Sequence, residues 1–102
     1  MPYIDPGDVI SPKTMWRLVD VILDRGEGEP AYSIGMWERR RRIGFRWNGN
    51  QDSPLGNPQS RGLPTWVILD PALNKAVVKL VEKENPEKAG IVRAFLGLPV
   101  ED

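Results

Sequence analysis

The chain contains no cysteine and no histidine in 102 residues. Their absence excludes disulfide staples, thiolate nucleophiles, Cys/His zinc sites and the imidazole base most often used in acid–base catalysis. Any chemistry would fall to carboxylates, Lys, Tyr, Ser or Thr. A net charge is missing as well. Fourteen Lys and Arg balance fourteen Asp and Glu, so no whole-molecule field draws the chain onto nucleic acid or membrane. No apolar run approaches the length that spans a bilayer. The opening MPYIDPGDVI has neither a basic start nor an apolar core, so no signal peptide is expected and a cytoplasmic, bacterial-style protein is.

What is present is ordinary globular material. Apolar residues make up 40% and charged residues 27%, which suits one domain over residues 1–102 with a single modest core. Residues 1–10 read as an extended arm. Pro2, Pro6 and Gly7 prevent a helix there, while Tyr3, Ile4, Val9 and Ile10 offer apolar surface to bury.

The segment from Ser11 to Gly26 has two readings. As a helix, Ser11 caps it, Pro12 opens it and Gly26 stops it. Lys13, Arg17, Asp20 and Asp24 then form a polar stripe opposite Met15, Trp16, Val19, Ile22 and Leu23. As a strand, residues 16–23 are favoured by Val19, Val21 and Ile22. The consecutive runs Leu18-Val19 and Val21-Ile22-Leu23 break strict alternation, so helix is the preferred reading.

Residues 31–37 and 41–48 alternate cleanly. Tyr32, Ile34 and Met36 share a face with Ile43, Phe45 and Trp47 across a hairpin that turns near residues 38–40. A third strand is expected at TWVIL, residues 65–69. Asp70-Pro71 caps a helix to about Glu84, with Leu73, Ala76, Val77, Leu80 and Val81 inward. Asn85-Pro86 opens a second to about Leu96, with Ile91, Val92, Phe95 and Leu96 inward and Gly97 as its stop. The expected fold is α+β: a small antiparallel sheet of three, or counting residues 16–23 four, strands with helices packed on one face. The other face would stay exposed, and its burial by a partner subunit predicts a homo-oligomer, a dimer or higher.

That exposed face carries Ser33, Gly35 and Trp37 beside Arg42, Gly44, Arg46 and Asn48. Glycines leave a shallow floor that a ligand or another backbone can approach. Arginines around it would supply charge-assisted donors. Residues 36–66 hold six arginines against Glu38 and Asp52, a local surplus of four positive charges. The run Arg39–Arg42 alternates in direction, so only part of it would join this face, and a solvated hairpin tip explains the rest. The aperiodic stretch from Asn48 to Pro64 contains GNPQSRG, residues 56–62. A long loop in a small domain is commonly functional. Asn57, Gln59 and Ser60 offer hydrogen bonds and Arg61 an anion-binding fork. The competing reading is that these short polar residues satisfy the loop's own backbone. Of four tryptophans, Trp16, Trp47 and Trp66 fall on expected core faces and Trp37 at a pocket or interface.

The candidate ligand-binding set is therefore Trp37, Arg42, Arg46, Asn48, Asn57, Gln59, Ser60 and Arg61. No catalytic residue, metal site or cofactor is expected, because no acidic pair has a mechanistic spacing. The leading reading is a non-enzymatic binding protein for a small polar or anionic ligand. The alternatives are a single-stranded nucleic-acid binder, disfavoured by the neutral charge, and a protein-interaction subunit. An enzyme stays an open but unsupported option.

The motif W-N-G followed by G-N-P-Q-S-R-G-L-P-T-W, with Trp47, Asn48, Gly49 and Asn57 through Gly62 and Trp66 at its marked positions, resembles a group of small uncharacterised bacterial proteins, including integron gene-cassette proteins. The resemblance spans about residues 11–81 and implies a stand-alone cytoplasmic homo-oligomer with no established activity. A looser architectural similarity is to the single-strand-binding fold of transcriptional coactivators and whirly proteins. It requires residues 16–23 to be a strand.

Overall fold

A computed structural model describes residues 3–99, so the first two residues of the expected arm lie outside the described span. After a short 3-10 turn (Pro6–Asp8) come β1 (Trp16–Asp24), β2 (Pro30–Trp37) and β3 (Arg40–Trp47). The long loop contains β4 (Gln59–Ser60) and β5 (Leu63–Pro64), and β6 (Val67–Ile68) follows. A 3-10 turn (Pro71–Leu73) leads into α1 (Asn74–Glu84) and α2 (Pro86–Leu96). The main sheet is antiparallel with order β1-β2-β3-β6, and β4-β5 is a separate two-stranded hairpin. The fold is α+β, as expected, with four strands in its main sheet. No helix among the described residues is long and apolar enough to cross a membrane.

The expected helix over residues 11–26 does not form; β1 is a strand. Met15 and Trp16 amides both donate to Pro12 O, so a turn stands where the first helical turn was expected. The apolar runs that argued against a strand coincide with two breaks in the β1–β2 register, between Leu18 and Asp20 and between Val21 and Leu23. A bulge re-aims the side chains that follow it. Ile22 and Leu23, consecutive in sequence, thereby both reach the helix-side core, while Leu18 packs on the opposite face, and the β-branched Val19, Val21 and Ile22 keep the backbone extended.

The β2–β3 hairpin pairs from Pro30↔Trp47 to Trp37↔Arg40. Glu38 and Arg39 form its turn with φ of 46° and 71°, the two-residue geometry that matches strand twist. β6 is shorter than the expected residues 65–69 and pairs only Val67 with Phe45 and Ile68 with Gly44.

The front face of the sheet packs on the helices. Ile22, Leu23, Ile34 and Ile43 meet Val77, Val78, Val81 and Val92. Polar contacts fix the docking angle. Asn85 Nδ2 donates to Ile22 O at 2.8 Å, Lys88 pairs with Asp20 at 2.7 Å and Arg25 with Glu84 at 3.1 Å. Arg41 donates to Phe95 O at 3.0 Å and lies over the Phe95 ring. A cation there suits the negative end of α2. Leu73, Ala76 and Ile91, expected inward, are exposed, because the helices cover only part of the sheet and Val78 takes the inward position instead.

The back face, expected to be open, is closed. Trp16 and Trp66 lie over it with Val9 and Ala31, and Ile4, Leu18, Trp37 and Ile68 complete the cluster. The glycines make this possible. A Cβ on Gly35 would sit 2.5 Å from the Trp16 ring and from Arg17 O, and one on Gly44 would sit 3.2 Å from the rings of both Trp16 and Trp66. The shallow floor is real, but indoles from the same chain fill it. Trp66 Nε1 donates to Val9 O at 2.6 Å, and Ile4 N to Pro54 O at 2.9 Å, so the arm is bound to the back of its own domain.

Gly35→Ala should destabilise the fold by about 2 kcal/mol, the scale of overpacking in a tight core. Gly90→Ala, in α2 with open space around it, should instead stabilise by about 0.5–1 kcal/mol. Urea unfolding of both variants checks the pair, and a neutral Gly35→Ala would contradict the close indole packing.

Candidate functional site

The loop from Asn48 to Trp66 is organised by one buried cation. Arg46 is fully buried. Its guanidinium donates to Thr65 O at 2.7 Å and to Leu55 O, and so joins the two limbs of the loop. Among the described residues no carboxylate pairs with it, and its Nε has no hydrogen-bond partner. Burial alone pushes the Arg46 pKa down from its ordinary value. Backbone bonds between Trp47 and Asn57, at 2.7 and 3.0 Å, extend the ladder into the loop. Gly56 turns there at φ 65°, and a Cβ would collide with Trp47 O and the Arg46 guanidinium. Gln59 Nε2 donates to Gly56 O at 2.9 Å. The peptide bonds before Pro12 and Pro58 are cis.

Asn48 is buried at the other root of the loop. Its Nδ2 donates to Asp24 Oδ1 at 2.7 Å and Gly26 O at 2.8 Å. Tyr3 approaches the same aspartate. Burial first, then Asp24, pushes the Tyr3 phenol above its usual value.

The eight candidate residues thus fall into separate groups. Arg46 and Asn48 are buried and bind the protein's own backbone and Asp24. Gln59 braces the loop, and Asn57 contributes its backbone to the ladder. Trp37 and Arg42 line a cleft of about 620 Å³ beside Arg40 and Asp70 at the hairpin end. There Arg42 already donates to Arg41 O at 2.9 Å. Ser60 and Arg61 line a different cleft of about 500 Å³, facing Lys13 and Thr14. The two clefts share no lining residue.

Two features escaped the sequence reading. One is Lys13, whose place opposite Arg61 depends on the turn that replaced the expected helix. The other is the exposed part of the front face. Trp47, expected in the core, is 47% exposed, with its ring edge-on to Phe45 at 5.7 Å. Phe45 in turn meets Tyr32 edge-on at 5.3 Å. An apolar groove of about 340 Å³ runs between these strands and α1, lined by Tyr32, Phe45, Leu69, Leu73, Ala76 and Leu80. The alternation placed these aromatics on the helix-bearing face correctly. Only the position of the helices reveals that part of that face is uncovered.

No protein-family model, curated protein or solved structure matches the chain.

Replacing Arg46 should open the loop. Arg46→Met should cost about 2–4 kcal/mol, since two buried carbonyls lose their donor. Arg46→Lys should not rescue it, because an ammonium lacks the planar fork that reaches both carbonyls. Denaturant unfolding together with amide exchange across residues 55–66 measures this; a lysine variant as stable as wild type would sink the two-carbonyl account.

Proposed function

We propose that this chain is a non-enzymatic binding protein that works as a homo-oligomer, its subunits meeting through the uncovered front face. The observation that carries this reading is the apolar surface around Trp47. Val67, 42% exposed, pairs across the strands with Phe45, and Leu73, 47% exposed, stands on the opposite wall of the groove. Trp47, Val67 and Leu73 therefore border one continuous aromatic and aliphatic surface. Large apolar patches are costly in water and mark association sites. A two-fold arrangement brings the same patch together from both copies and leaves no unsatisfied surface to propagate.

The rim supports a self-complementary contact. Lys79 and Lys83 are exposed on α1, beside the stripe of Leu73, Ala76 and Leu80. Glu29 is exposed at the start of β2, at the Trp47 end of the sheet. The opposite charges of these exposed residues allow the lysines of one copy to meet Glu29 of another. The resemblance of the WNG…GNPQSRG motif to small bacterial cassette proteins fits a stand-alone cytoplasmic oligomer of this kind.

A single-stranded nucleic-acid binder is the second reading, and one observation favours it. β1 is a strand, the condition on which the architectural similarity to coactivator and whirly folds rests. The Trp37, Arg40 and Arg42 cleft offers a stacking ring and cations. A salt-dependent mobility shift with single-stranded DNA tests it, and no shift at low salt removes it.

For the leading reading, sedimentation equilibrium should show a dimer or larger species for wild type. Trp47→Glu and Val67→Glu should weaken it by at least about tenfold in dissociation constant, or 1.4 kcal/mol, while the far-UV circular dichroism of the folded chain is retained. A wild-type protein that stays monomeric at hundreds of micromolar contradicts the proposal.

A further inference from the structure

The cleft between the Pro12–Met15 turn and the β4–β5 hairpin stands apart from the Trp47 face and does not depend on self-association. Lys13 and Thr14 form one wall, and Ser60 and Arg61 the other. Ser11 and Thr65 join the walls at the base through a parallel bridge. Trp66 N donates to Ser11 O at 3.2 Å and Thr65 N to Pro58 O at 3.1 Å, so both walls are held by backbone bonds before any ligand arrives. No carboxylate lines the cleft. Among the described residues, none of these six side chains makes a hydrogen bond or ion pair. Two cations and four hydroxyls are thus left with free donors around one space. Elsewhere Arg25, Lys88 and Arg93 are paired with carboxylates.

Arg61 has a second distinguishing property. It occupies the first position of the β4–β5 turn at φ 54°, followed by Gly62 at φ 79°. Both central residues of such a turn need positive φ, where Asn, Asp and Gly are strongly preferred. An arginine there carries backbone strain that an asparagine would not. From this position at the tip of a tight hairpin Arg61 lines the same cleft as Lys13.

We infer that this cleft binds a small phosphate monoester. A guanidinium fork and an ammonium suit a dianionic phosphate, the first by two parallel bonds and the second as a point charge. The hydroxyls supply further donors to its oxygens. The volume of about 500 Å³ exceeds what inorganic phosphate fills, and Pro12 and Leu63 give the ester's body an apolar contact. A nucleic-acid strand fits less well, because no aromatic ring lines the cleft to stack a base.

The test is an amide chemical-shift titration of the full chain with inorganic phosphate and with glycerol 2-phosphate at matched ionic strength. Saturable shifts are expected at Lys13, Thr14, Ser60, Arg61 and Thr65, with the monoester binding several-fold more tightly than phosphate. Lys13→Ala and Arg61→Asn should each weaken binding about tenfold or more, whereas Arg39→Ala should not. Arg61→Asn separates binding from folding, because Asn accepts the positive φ. Its thermal midpoint should match or exceed wild type while its affinity falls. Unsaturable shifts spread equally over Arg39 and Arg40, or undiminished affinity in Arg61→Asn, overturn the site. A monoester that binds no more tightly than phosphate overturns the ligand class.

Discussion

Two side-chain-free positions, Gly35 and Gly44, let the indoles of Trp16 and Trp66 lie directly on the back of the sheet. Most of the architecture follows from that contact. Trp16 must come from β1, so residue 16 has to begin a strand instead of sitting on a helix. Trp66 must come from the end of the long loop, so the loop has to return across the sheet and enter β6. Once seated, Trp66 donates its ring N–H to Val9 and so draws the arm over the remaining apolar surface. The back layer is assembled from residues some fifty positions apart in sequence, and none of its parts has a partner without the others. The front layer is built more locally, by helices that follow one another and dock on Ile22, Ile34 and Ile43.

The arginines divide between the interior and the surface in a way that their clustering in sequence conceals. Arg46 is internal scaffolding for the loop. Arg41 terminates α2 by bonding Phe95 O. Arg42 satisfies a carbonyl of its own strand. Arg61, isolated in sequence from the others, sits at the β4–β5 turn with its guanidinium uncommitted, and the exposed Arg39 and Arg40 at the β2–β3 turn are likewise uncommitted. Half of the arginines behind the local surplus of positive charge therefore serve backbone carbonyls that need donors: Arg41, Arg42 and Arg46 do so, and Arg39, Arg40 and Arg61 do not. The same holds for GNPQSRG, much of whose regularity serves the loop's own bonds.

Local chemistry was legible wherever one residue type decided the outcome. Asn85-Pro86 and Gly97 bound α2 as expected, whereas Asp70-Pro71 caps the 3-10 turn that leads into α1 and not α1 itself. The period-two pattern placed β2 and β3 to within a residue. Reading failed where an element answers to two layers at once. β1 supplies both faces and breaks register twice, so its pattern imitates an amphipathic helix. Trp47 has the alternation of a core residue but lies where no helix reaches. Of the eight candidate residues, position in the fold and not residue type separates Ser60 and Arg61 from the buried Arg46 and Asn48. Lys13 gave no signal, because its partner across the cleft is almost fifty residues away.

The breaks in β1 have one more consequence. β1 forms the long free edge of the sheet, and a straight free edge is a template on which strands of other copies add without limit. Two interruptions within nine residues deny it a continuous run of evenly spaced donors and acceptors. The opposite edge, β6, offers only two residues. Neither flank of the sheet therefore presents the long regular ladder that a further strand would extend.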